Sequence, residues 1–424
     1  MSSEQRSRVA YVGQCTFEYL IALLLQDAFL AKLLLDIGLD DSMIGIISSF
    51  VSFSFLFQLL SIWLVNRINY VKKTVIFFDC FTQFLFMFMY CVPFLNVGKT
   101  TKIIIVLSCL VLAYISKNMV ASILFKWANS YVESNKRGRF SAGKEMISLV
   151  CGMLFSLIMG VFVDKYEAVN NIKGSFVIIV VTLLILNVLN FISLMMIKDG
   201  KLAEEPKRYT AKEVLANTLG NKGFRNVIIL LALWSAATSM ISGFMGTFKT
   251  KDLMLSVGLI QVINAVANGM RMVFSIPIGK YSDKKSYAKG IELAMCIAAV
   301  GFLANIFSTN QTWWMVIIFT VFYNVSIAGT NANKLNITYS YVKSEYVTQA
   351  MVIQSSISGI IGFLSAFLGS RLLAFIQGNG NKFLGMQVYS QQVMSAISLT
   401  IVVCAIVFNR KVVQKQSVLI KESK

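Results

Sequence analysis

The chain of 424 residues contains no histidine, only three prolines and only 14% charged residues. Lacking histidine, it lacks the commonest metal ligand and the side chain whose ordinary titration falls near neutral pH, so proton handling falls to Asp or Glu. The seven cysteines (Cys15, Cys80, Cys91, Cys109, Cys151, Cys296 and Cys404) all lie in apolar stretches, and no C-x-x-C pair occurs. Scattered thiols of this kind read as small hydrophobes in helices, not as metal ligands or disulfide partners. No G-x-x-x-x-G-K-[ST] is present, so ATP drive has no phosphate loop to use. The expectation is a chain that is not an enzyme, holds no metal and needs no cofactor.

What the chain has instead is apolar length. Hydrophobic residues make up 56% of it and its mean hydropathy is +0.69, whereas a soluble chain carries about 25% charged residues. Twelve apolar segments can be drawn, at about 10–35, 43–65, 74–96, 101–127, 144–163, 174–197, 226–248, 256–279, 288–308, 312–333, 348–375 and 386–408. Each is long enough for a hydrocarbon core of roughly 30 Å. The start, "MSSEQRSRVAYVGQ", has no short apolar run ahead of a small-residue cleavage site, so no removable signal is expected. The fold class expected is an all-α membrane protein with twelve transmembrane helices.

The formal charge of +19 could point to nucleic acid, but the basic residues occupy alternate loops instead of one patch. With the N-terminus inside, the inner segments hold 27 Lys and Arg and the outer loops seven. That imbalance sets both termini on the cytoplasmic side and makes the lipid bilayer, not nucleic acid, the partner. Abundant Lys and Asn without an organelle signal point to a bacterial plasma membrane, and the chain is expected to work as a monomer.

The longest internal connection, 198–225, is charged, contains Pro206 and separates six segments from six. Within it "TAKE", Thr210 to Glu213, is a capping box ahead of Val214, Leu215 and Leu219, which predicts a short amphipathic surface helix. The expected organisation is an N-terminal six-helix bundle over 1–197, a cytoplasmic loop over 198–225 and a C-terminal six-helix bundle over 226–424. The halves echo each other. Segment 2 ends in "SIWLVNRINYVKK" and segment 8 in "SIPIGKYSDKKSYAK", while segments 5 and 11 carry spaced glycines (Gly152 and Gly160; Gly359, Gly362 and Gly369). Small residues at such spacing let helices approach closely in lipid, and a two-fold internal repeat of this kind is found in transporters.

Residues 259–279 read "LIQVINAVANGMRMVFSIPIG". Gln261, Asn264, Asn268 and Arg271 are spaced by three, four and three residues, so they share one face of a helix. A charge within the bilayer is costly and marks a pathway or a paired site.

The stretch "GKYSDKKSYAK", Gly279 to Lys289, resembles the loop motif of the major facilitator superfamily, Gly-x-x-x-Asp-Arg-x-Gly followed by basic residues. Gly279 and Asp283 match, Lys284 stands for the arginine, and Ser286 departs from the second glycine. In the first half Asn66 replaces the aspartate, Arg67 fits, Asn69 replaces the glycine, and Lys72 and Lys73 follow. "KRGRFSAGK" between segments 4 and 5 is similar to that superfamily too. The resemblance implies two pseudo-symmetric six-helix bundles around a central cavity, lined by the first and fourth helices of each half with help from the second and fifth. It also implies a gating role for Gly279, Asp283, Lys284 and Arg67, and it turns the polar face of segment 8 toward the cavity.

At about 1.5 Å per residue, Glu18 lies roughly 12 Å from the inner end of its segment, Lys117 roughly 15 Å and Arg271 roughly 12–13 Å. Trp234 and Ser235, Tyr323 and Asn324, and Gln354 fall in the same layer. Midplane sites between the halves are usual in secondary transporters. The expectation is an ion pair of Glu18 with Lys117, faced by Arg271, with Glu18 as the proton-coupling group. A carboxylate separated from its cation in a dehydrated site takes up a proton. Lys117, Trp234, Gln261, Asn264, Asn268, Arg271, Tyr323, Asn324 and Gln354 are the expected substrate contacts. They suit a small polar or anionic organic solute such as an organic acid, a sugar or a nucleoside, moved by proton-coupled symport. The rival is proton-driven multidrug efflux. It is disfavoured because "SLVCGMLFSLIMGVF" lacks the Gly-Pro motif typical of drug antiporters. Asp27 and Lys32 read as elements near the outer end, Arg371 and Lys126 as interface residues, and Asp79 as a loop contact.

Overall fold

The structure is a computed structural model and describes residues 3–60, 70–132, 137–199, 211–343, 346–383 and 385–416. Arg67, Pro206, Thr210 and most of the charged connection lie outside the described residues, as does the side chain of Lys126. Long helices carry almost all of the chain: α1 (Ser3–Leu24), α2 (Asp27–Asp36), α3 (Asp41–Ser54), α4 (Val71–Cys91), α5 (Lys99–Asn129), α6 (Arg137–Ala168) and α7 (Ile172–Met196). After the short α8 (Ala211–Thr218) come α9 (Lys222–Ser242), α10 (Val257–Lys284), α11 (Tyr287–Ile306), α12 (Met315–Tyr341) and α13 (Val347–Gly378). A two-stranded hairpin, β1 (Lys382–Phe383) and β2 (Met386–Gln387), then leads into α14 (Ser390–Phe408).

Eleven helices of the described residues are long and apolar enough to cross a membrane. The first predicted segment is not among them as one helix, because it divides into α1 and α2. At the break Asp27 adopts φ +49°, a left-handed conformation that few side chains other than Asn and Asp enter. The buried Tyr90 of α4 donates its hydroxyl proton to the carbonyl of Leu24 there. An unpartnered carbonyl at this depth would cost several kcal/mol, so the tyrosine makes the break tolerable. Together the helices form the expected all-α fold of twelve membrane-crossing segments. Large apolar side chains such as Leu154, Ile158, Leu184 and Val273 stand exposed on helix flanks, as a lipid-facing surface requires.

Packing divides the chain into two compact units. One contains residues 1–40, 57–208 and 255–262; the other contains 41–56, 209–254 and 263–424. In the first, α1 packs on α6 and α7, and α4 on α5 and α7. A buried cluster of Tyr11, Val75, Ile123, Trp127, Leu194 and Ile197 joins its helices near the end of α7. Polar groups there fasten the chain leaving α7: Trp127 Nε1 and the Tyr131 hydroxyl both donate to the Lys198 carbonyl, at 3.2 and 2.6 Å. Lys72 Nζ donates to the carbonyls of Met195 and Ile197 at 2.7 Å each. Gly152 of α6 lies against Tyr19, and Gly160 against Gly258 and Gln261, so the spaced glycines do serve close approach.

In the second unit α11 packs on α12 and α14, while α13 lies against α9 and α3. Phe244, Met240, Leu373 and Met394 form a buried cluster. Gly359 is pressed against the Ser52 carbonyl and Gly362 against Ser235 and Ser239. The turn between α10 and α11 explains the departure at Ser286. Its φ is −175°, and its hydroxyl accepts the Lys289 backbone N–H at 3.2 Å, so serine is used as a helix N-cap where the superfamily's motif has glycine.

Candidate functional site

In the first unit the sequence places a carboxylate on α1 and a lysine on α5, and the fold brings them together. Lys117 Nζ lies 2.8 Å from Glu18 Oε1, with the side chains 33% and 24% exposed. Gln14, one turn before Glu18, donates Nε2 to Glu18 Oε2 at 2.9 Å. Both carboxylate oxygens are therefore engaged, one by a charge and one by an amide. A small cavity opens beside the pair, with Gln83 and Tyr114 as further polar lining and Ile21, Leu25 and Phe86 as apolar wall. Partial exposure leaves the pair reachable from that cavity, and charge–amide contacts of this kind hold a carboxylate in one orientation.

Two neighbouring groups extend the polar seam. Asp79 on α4 is 8% exposed and accepts Asn190 Nδ2 of α7, so its partner is a helix and not a loop as expected. Lys144 Nζ on α6 donates to the Tyr11 hydroxyl at 3.3 Å and sits 4.6 Å from that ring's centroid. Gln14 is detectable in the sequence as the residue four before Glu18; Asn190, with no charged residue near it in α7, carries no such signal.

The segment-8 stripe lies on α10 as expected. Gln261 is 3% exposed and packs against Gly160 within the first unit. Asn264, Asn268 and Arg271 are half-buried and belong to the second unit. In that unit Trp234 of α9 is 9% exposed. Tyr323 of α12 stacks on Phe319 at 5.4 Å between centroids and meets Phe302 edge-on at 6.3 Å. Asn324 donates to the Thr320 carbonyl at 2.9 Å, along its own helix. Gln354 of α13 is fully buried, and neither of its amide atoms has a partner among the described residues.

Gly279 is half-buried near the C-terminal end of α10, and Asp283 and Lys284 are exposed there. Among residues given other readings, Lys32 pairs with Glu167. The Arg371 guanidinium lies 5.1 Å from the Phe367 ring on an exposed face. Lys334, one residue past the predicted segment 312–333, lies inside α12, seven residues before the helix ends at Tyr341; in these last turns Asn336, Thr338 and Ser340 donate to the carbonyls of Ala332, Lys334 and Asn336.

One protein-family profile, the Major Facilitator Superfamily, matches residues 11–409. No curated protein matches the chain. Among solved structures, the nucleoside transporter NupG is similar with a TM-score of 0.70 at 10% identity, covering 97% of this chain and 99% of that one. An autoinhibited peptide transporter of the POT family gives 0.69 at 11% identity, covering 96% and 97%. The D-xylose–proton symporter gives 0.65 at 12% identity, covering 93% and 96%. At such identities the likeness shows a shared fold.

Proposed function

Since the chain belongs to the major facilitator superfamily, we propose that it is a secondary active transporter of a small polar or anionic organic solute. It moves the solute across the plasma membrane by alternating access, coupled to protons, with its termini in the cytoplasm. The observation that carries this reading is the Glu18–Lys117 pair, held by Gln14 beside a cavity within the span. Ionised groups are retained in a membrane segment at a cost and are by default functional. Without histidine, Glu18 is the carboxylate placed to exchange Lys117 for a proton as the pair is dehydrated and separated. Trp234, Tyr323, Asn324, Gln354 and the α10 amides supply stacking faces and hydrogen bonds of the kind that hold sugars and nucleosides. The structural relatives that carry nucleosides, peptides and xylose agree with a hydrophilic cargo.

The test is uptake into proteoliposomes under an imposed pH gradient, using labelled sugars, nucleosides and organic acids. The wild type accumulates one class with the gradient. Glu18→Gln retains exchange of that solute at equal concentrations but loses gradient-driven accumulation. Accumulation undiminished in Glu18→Gln removes Glu18 from coupling. Uptake of lipophilic dyes in place of all hydrophilic solutes gives the efflux reading instead.

A further inference from the structure

We infer that the seam of α12 and α13 in the second unit is an anion-binding subsite, with Lys334 as its cation and Gln354, Ser355 and Ser358 as its hydrogen-bonding wall. The cargo therefore carries a carboxylate or phosphate group. This rests on the transporter reading above and narrows its substrate class.

Lys334 is half-buried and sits about 10 Å inside the inner end of α12 at roughly 1.5 Å per residue. Its Nζ donates to Ser355 Oγ at 3.2 Å, and no carboxylate of the described residues pairs with it. Four cations of the described residues show the contrast: Lys32, Lys117, Lys251 and Arg410 each have their acid. A lysine withdrawn from water without an acid is costly unless an anion arrives to match it.

A second observation points the same way. Gln354 is fully buried and neither of its amide atoms has a partner among the described residues; Ser358 Oγ is likewise buried without one there. In a helix, residues 354, 355 and 358 fall within one face of about 100°, so these orphans share the side of α13 that carries the Lys334 contact. That face also meets α9, where Ser235 Oγ donates to the Ser358 carbonyl at 2.6 Å. Idle donors beside an unmatched cation form a site for an oxyanion: Lys334 supplies charge, while Gln354 Nε2 and the serine hydroxyls supply protons to its oxygens. Gln354 Oε1 remains to accept from a hydroxyl elsewhere on the solute.

The experiment measures melting of the purified full-length protein with inorganic phosphate, glucuronate against glucose, and uridine monophosphate against uridine, all at matched ionic strength. A ligand that binds only the folded state raises the melting temperature. An anionic probe is expected to raise it in the wild type, with its neutral counterpart doing so less. Lys334→Gln weakens half-saturation by about tenfold or more, in line with loss of a charged hydrogen bond; Lys334→Arg retains binding, and Lys411→Gln, at an exposed surface position, leaves it unchanged. Gln354→Leu raises the melting temperature without ligand, since it removes unpaired buried amide atoms, yet weakens the anion; a purely structural glutamine would give neither result. Equal anion stabilisation of Lys334→Gln and wild type overturns the inference, as does failure of every anionic probe to stabilise the wild type. Either result leaves the transporter reading to the gradient-driven uptake assay, which neutral solutes satisfy equally well.

Discussion

Asp164 Oδ2 accepts the backbone N–H of Gly258 at 2.7 Å, so a side chain near the end of α6 closes the first turn of α10. The first N–H groups of a helix have no partner within it, and a carboxylate there satisfies both a hydrogen bond and the helix dipole. Gly258 is the residue this approach requires, because a Cβ would stand 2.4 Å from that same oxygen. Asp164→Ala is expected to cost about 0.5–2 kcal/mol, the usual worth of such a cap. A thermal melt in detergent reads this as a drop of several degrees. Asp164→Asn, which keeps an acceptor oxygen, recovers most of the loss.

The pairing of Glu18 with Lys117 makes a stability prediction separate from transport. Removing one member leaves the other charged and poorly solvated, which is worse than removing both. Glu18→Gln and Lys117→Gln each melt below the wild type, and the double substitution melts above either single. Because the side chains are 24% and 33% exposed, the single losses fall short of the about 3–5 kcal/mol seen for fully buried pairs. A double variant that melts at the sum of the single losses removes the coupling between the two.

Gly45 of α3 and Phe244, just after α9, are fitted to one another. A Cβ on Gly45 would stand 1.8 Å from Phe244 Cε1, and that ring is fully buried in the cluster with Met240, Leu373 and Met394. Gly45→Ala therefore forces α3 away from the ring and costs about 1–3 kcal/mol through overpacking. Phe244→Leu alone leaves a void and is also destabilising. Combined, the substitutions relieve one another, and a double-mutant cycle on melting temperature gives a non-additive result.

Tyr90→Phe keeps the ring and removes the hydroxyl that serves the Leu24 carbonyl. Leaving a buried acceptor unpaired costs about 1–3 kcal/mol, more than a phenolic hydroxyl contributes on an exposed face. Melting, together with hydrogen exchange at residues 24–30, checks this: the variant melts lower and exchange rises at the break before it rises in the rest of α1.

The architecture was legible in the sequence because lipid imposes long apolar runs and a one-sided distribution of Lys and Arg, both visible without coordinates. The Glu18–Lys117 contact was legible for a similar reason: charges within such runs are few, so those at matching depth have few alternatives. The break between α1 and α2 was not, since "LLLQDAFLAKLLLD" contains neither glycine nor proline and the interruption is supported by Tyr90, over sixty residues away. The predicted segment 312–333 stops short of Lys334 because the apolar run ends before its helix does; Asn, Ser and Thr fill the last two turns of α12. Ser286 shows the reverse case, where a mismatch with the superfamily's glycine is a cap with its own partner.

The interruption at residues 25–26 also changes how the first helix behaves mechanically. A continuous rod passes torque from one end to the other through an unbroken chain of carbonyl-to-amide links. Here the link is cut, with the left-handed Asp27 as the swivel and the phenol of Tyr90 as the bearing that steadies the lower stub. The Lys32–Glu167 pair on α2 and the Glu18–Lys117 pair on α1 therefore stand on opposite sides of a cut in the backbone ladder.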